Sequence, residues 1–166
     1  MNDGTQELRD ALWLLSHGTT EDNDTAVAIV KDRVELDENA IRWELHALRV
    51  FAVETGLYLG CGSDSARYDE MTAALYAPMI RQYREDPDQN AALDFNVLKT
   101  RVELYRGCAE RAASASKADP RTLVRQIGRQ FATLCHSGDR KVAAVGSGVF
   151  VETSRLAQRV SQMQSG

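Results

Sequence analysis

The stretch DENAIRWELHALRVFAVETGLYLG, residues 37–60, decides the fold. Within it Ile41, Leu45, Leu48, Ala52, Thr55 and Leu59 advance by alternating steps of four and three, the spacing that keeps side chains on one helical seam. Trp43, Ala47, Val50, Leu57 and Tyr58 make a second apolar face, which leaves mainly Arg42, His46 and Arg49 as a polar strip. The pattern predicts a long central helix packed on two sides and ended by the turn Gly60-Cys61-Gly62-Ser63-Asp64.

Upstream, Leu8, Ala11, Leu12 and Leu15 fit a short amphipathic helix stopped at Gly18. Thr19 to Thr25 is polar and acidic and reads as a connection, followed by a helix over Ala26 to Leu36 capped by Asp24. Downstream, Tyr68, Met71, Leu75 and Met79 mark the buried side of another helix, which Pro78 is expected to kink or divide. After the turn Asp86-Pro87-Asp88, the seven-residue repeat Ala91, Phe95, Leu98, Val102, Tyr105, Ala109, Ala112 predicts a second long helix. Asp119-Pro120 places an N-cap before proline at the first helical position, and Leu123, Val124, Ile127, Phe131 and Leu134 supply an apolar face that ends at Gly138. Asp139 caps a last helix with the seam Val142, Gly146, Val149, Thr153, Leu156, Val160, Met163, interrupted by the weak helix former Gly146-Ser147-Gly148.

These elements predict an all-α, single-domain antiparallel helical bundle of six or seven helices with two long central ones. One domain is expected over residues 1–166, with disorder only at 1–4 and 163–166. The 43% apolar content is enough for a real core, and the net charge of −4 argues against broad, charge-driven binding to nucleic acid or anionic membrane. No apolar run is long enough to span a bilayer, and Met1-Asn2-Asp3-Gly4 has neither the basic segment nor the apolar core of an export signal. Cys61, Cys108 and Cys135 are odd in number and widely spaced, which reads as buried, reduced thiols in the cytoplasm.

Glu44 falls between the two apolar faces of the central helix and Glu54 within the second, so at least one is expected to be buried. A buried carboxylate needs a cation or several donors, or its pKa rises. Asp94 and Arg101 occupy a similar place on the second long helix, so Arg101 is a partner for Glu44 or Glu54. Tyr68, Tyr76 and Tyr83 share one half of their helix, opposite which an aromatic pocket or plain core packing would form with Trp43 and Tyr58. Arg121, Arg125 and Arg129 recur every fourth residue as a basic strip continued by His136, suited to a solvated face or to phosphates. Ala143, Gly146, Phe150 and Ala157 extend the apolar side of the last helix, where small residues admit another backbone from within the chain or from a second copy.

No Glu-x-x-His or His-x-x-x-His pair, phosphate loop or nucleophile elbow is present, and neither a metal nor a cofactor is expected. The leading expectation is non-catalytic protein association, including a homodimer, with a protein partner or homo-oligomer and no membrane. An enzyme or small-ligand protein with an interhelical pocket lined by Trp43, Glu44, Glu54, Tyr58 and Arg101 is the alternative. A nucleic-acid-binding regulator using Arg121, Arg125 and Arg129 ranks third.

Overall fold

Short polar side chains set where helices start. Asp37 Oδ1 accepts from Ala40 N at 2.9 Å, Asp119 Oδ1 from Arg121 N at 2.9 Å and Thr19 Oγ1 from Asp22 N at 3.1 Å, each satisfying a donor that a helix N-terminus leaves free. The computed structural model describes residues 3–85, 90–115 and 119–163, which form seven helices and no strand. They are α1 (Asp3–His17), α2 (Thr20–Lys31), α3 (Glu38–Cys61), α4 (Ser65–Glu85), α5 (Asn90–Ala115), α6 (Pro120–Leu134) and α7 (Arg140–Met163). The turn expected at Asp86-Pro87-Asp88 and the side chains of Tyr83, Ala91 and Asp94 lie outside the described residues.

The all-α bundle with long α3 and α5 agrees with the sequence pattern, and several details differ. The second helix starts at Thr20 rather than Ala26, because Thr19 supplies the cap and Glu21 and Asp22 favour the positive end of the helix dipole. It stops at Lys31, short of Leu36. Pro78 lies inside α4 and does not divide it, since Leu75 and Met79 anchor both sides in the core. α6 ends at Leu134, capped by Cys135, rather than running on to Gly138. His136 takes a left-handed φ of 55°, its N–H bonds Thr133 O at 3.0 Å and Ser137 N bonds Ala132 O at 2.8 Å, a Schellman stop with histidine in the usual glycine place.

α3 is enclosed on more sides than two faces allow for. His46 is half-buried and Arg49 is 6% exposed, because α1 and α2 cover the expected polar strip. α1, α2 and α4 run antiparallel to α3, but α7, its most extensive partner, runs parallel to it. The register is read from Arg49 on Thr153, Phe51 on Phe150, Gly56 on Ala157 and Gly60 on Ser161. Consecutive helices pack antiparallel as expected, with Glu54 on Tyr76 and Cys61 on Met71 between α3 and α4, and Val124 on Ser147 between α6 and α7, while the tightest pair joins residues far apart in the chain.

Glycine makes that approach possible. A Cβ on Gly56 would sit 2.2 Å from the Ser154 carbonyl oxygen, and one on Gly60 would sit 1.7 Å from Ser161 Oγ. An aromatic ladder crosses the same interior, with Phe51 stacked on Tyr105 of α5 at 5.6 Å and on Phe150 of α7 at 5.7 Å.

Candidate functional site

Both α3 carboxylates are buried, and an arginine from α5 meets each. Glu44 is 5% exposed and accepts a hydrogen bond from Arg101 Nε at 3.0 Å. Arg101 also lies over the Trp43 ring, 5.9 Å from its centroid. Glu54, also 5% exposed, accepts from the Tyr76 hydroxyl at 2.7 Å through Oε1 and from Arg106 Nη2 at 2.8 Å through Oε2, and Arg106 reaches Glu103 as well.

Ten residues of helix separate the two glutamates by about 15 Å. The expected pocket residues therefore fall into two clusters. Trp43, Glu44 and Arg101 form one, and Glu54 joins Tyr76 and Arg106 in the other. Tyr58 is 62% exposed, with its ring edge-on to Tyr68 at 5.8 Å. Arg106 did not stand out in the sequence because it sits off the heptad seam and reaches Glu54 by side-chain length alone.

The Glu44 cluster is the more polarised. Burial pushes its carboxyl up, opposed by Arg101 and by His136, whose left-handed turn brings it within electrostatic reach. Burial also pushes the Cys135 thiol up to about 12, with Glu44 adding to the rise, and raises the Tyr105 hydroxyl in the same way. Glu44 Oε2 and Tyr105 Oη have no hydrogen-bond partner among the described residues. A thiol held so far towards the neutral form is a poor nucleophile.

A third polar centre joins α1, α2, α3 and α7. Arg49 donates to Thr153 Oγ1 at 3.1 Å and to Asn23 Oδ1 at 3.3 Å, and no described carboxylate lies within 4 Å of it. Gly18, at the end of α1 with φ 71°, leaves the guanidinium its space: a Cβ there would lie 2.5 Å from Arg49 Cζ. Beside this centre are His17 and His46, their rings 4.4 Å apart and tilted by 38°, each bonding a backbone carbonyl at 2.9 Å through Nδ1. The partners assign Nδ1 as the protonated nitrogen of both rings.

The small-residue face of α7 is occupied within the chain. Phe150 is 3% exposed on Phe51, Ala157 fills the space beside Gly56, Gly146 packs on Phe131 and Ala143 lies against Gly128. The buried stripe is thus Val142, Gly146, Phe150, Thr153, Ala157 and Ser161, whereas Leu156 and Met163 of the expected seam are exposed.

α6 presents a different surface. Arg121, Arg125 and Arg129 are all exposed, none has a carboxylate within 4 Å among the described residues, and the helix contains no acidic residue. Two grooves flank this ridge. One, of about 470 Å³, runs against α7, where Pro120, Val124 and Ala144 give it an apolar lining. The other, of about 400 Å³, runs against α5 and is more polar.

The chain matches no family model, no curated protein and no solved structure. Chemistry alone therefore assigns roles. One signal was available in the sequence and concerns charge placement: residues 120–166 hold seven Lys or Arg against two Asp or Glu, whereas residues 1–119 hold 13 against 22. The net charge of −4 conceals that division. No helix among the described residues is long and apolar enough to cross a membrane, and no described group of His, Cys, Asp and Glu is placed to hold a metal ion.

Proposed function

We propose that this protein is a non-catalytic association module that captures an acidic, amphipathic segment of a protein partner along α6. The observation that carries the reading is the row Arg121, Arg125, Arg129, exposed and without carboxylates of its own. A four-residue spacing repeats every ~6 Å along a helix, which matches carboxylates four apart on a partner helix. The apolar groove beside Val124 and Ala144 receives the uncharged side of such a segment. Glu44 and Glu54 are committed to Arg101 and Arg106, so their charges support a structural role in holding α3 to α5. The buried thiols Cys61, Cys108 and Cys135 support residence in a reducing compartment such as the cytoplasm.

A long nucleic acid fits less well, because the acidic surplus of residues 1–119 repels a polyanion that extends beyond the ridge. The test uses a labelled 20-residue helical peptide with glutamate at every fourth position. Binding is expected at low salt, weakening as salt rises, and the combined Arg121→Gln, Arg125→Gln, Arg129→Gln variant should lose about tenfold in affinity. Unchanged affinity in that variant overturns the reading. Tighter binding of a 20-base-pair DNA duplex than of the peptide at equal salt transfers the ridge to nucleic acid. Light scattering of the free protein shows whether a second copy takes the place of the partner.

A further inference from the structure

The groove between α5 and α6 has the chemistry of an anchor point. Cys108 and Ala112 are small and buried, 8% and 6% exposed, and floor a space of about 400 Å³. The volume lies in the range of ligand sites, about 300–1,000 Å³. Arg111 of α5 and Arg129 of α6 stand on its two walls, with the Gln126 amide as a further donor, while the Thr122 hydroxyl donates to Asp119 at 3.4 Å. Among the described residues no acidic side chain lines it, and neither arginine has a described carboxylate within 4 Å.

We propose that this groove recognises a phosphorylated side chain of the same protein partner, the phosphoryl group seated between Arg111 and Arg129. The proposal rests on the α6 reading, since Arg129 belongs to both ridge and groove. A carboxylate carries one charge and offers two oxygens, which a single guanidinium satisfies. A phosphomonoester carries nearly two charges and three terminal oxygens, which two arginines on opposite walls, helped by the Gln126 amide, fill more completely. Small residues at the floor leave depth for the phosphoryl group and the side chain that bears it. Arg111 stands across the groove from α6, so the two recognition elements are separable by mutation.

The experiment compares the glutamate-rich peptide with a version carrying phosphoserine at the acidic position that pairs with Arg129. Wild type should bind the phosphorylated form about tenfold more tightly. Arg111→Gln should reduce that advantage to less than about twofold while leaving affinity for the unphosphorylated peptide unchanged. Arg111→Lys, which keeps the charge without the planar fork, should recover only part of the advantage. Because Arg111 is exposed, its replacement leaves the core intact, and an unchanged unfolding midpoint verifies this. If both peptides bind wild type equally, or Arg111→Gln weakens both alike, the groove assignment falls while the α6 reading stands. If neither peptide binds, both fall. A DNA duplex whose binding depends on Arg111 to the same degree removes the protein source.

Discussion

His46 illustrates how a single half-buried ring ties stability to pH. Burial is the main cause of its lowered pKa, about 4, with the neighbouring His17 adding to the effect, and His17 is itself lowered by burial. The His46 ring therefore stays neutral in the folded protein while the unfolded chain takes up a proton near pH 6.5, so its contribution to stability is complete above that value and falls as the pH drops towards 4, and the lowered pKa of His17 acts in the same direction. His46 alone accounts for up to about 3 kcal/mol of this loss. Glu44 acts in the opposite sense: its raised carboxyl favours folding below the ordinary carboxylate range, and that contribution fades as the pH rises through the folded value. Urea unfolding at pH 7.5 and pH 5.0 should show the wild type less stable at the lower pH. His46→Asn keeps a donor for the Ser16 carbonyl and should flatten the difference, and an unaltered slope would assign the acid sensitivity elsewhere.

Among elements, the parallel contact of α3 with α7 gives opposite expectations for two glycines. Gly56→Ala drives a methyl group against the Ser154 carbonyl and should cost about 1–3 kcal/mol, whereas Gly148→Ala meets open space in the interior of α7 and should gain up to about 1 kcal/mol. Thermal unfolding of the pair checks both signs, and stabilisation by Gly56→Ala would contradict the close approach. These glycines also mark the boundary of what the sequence discloses. The α3 seam and the Asp119-Pro120 start were legible because local spacing and capping decide them. Gly60 read as the start of the turn that ends the helix, and the role of Gly56 carried no local signal, since the reason for both lies on a helix formed by residues 140–163. The early start of α2 was missed because its first turns are polar and exposed, with burial beginning only at Ala26. Of the candidate site, burial of Glu44 and its pairing with Arg101 were readable from helical position, whereas separation of Glu44 from Glu54 into two clusters depended on where α4 and α5 cross α3. The α6 arginine row was legible, but its counterpart Arg111 was not, because facing a groove is a property of two helices.

For the whole molecule, α7 closes a core that the other helices leave open. It covers α3 from Arg49 to Gly60 and packs along α6, where Ser147 Oγ donates to the Val124 carbonyl at 3.1 Å. Truncation before Arg140 should therefore leave helical content without fixed packing: far-UV dichroism largely retained, ANS fluorescence increased and the cooperative unfolding transition lost. A truncated chain that still unfolds in one sharp transition would show that the first six helices form a self-sufficient core.

The parallel pairing also imposes an order on biogenesis. Arg49 and Thr153 are 104 positions apart, so at usual synthesis rates roughly 5–20 s pass between the emergence of one and of the other. Throughout that interval the nascent chain displays a buried-type cation and a glycine-floored apolar track with nothing to cover them. Docking of α3 onto its most extensive partner therefore waits until α7 has been synthesised, so the core is completed late rather than helix by helix.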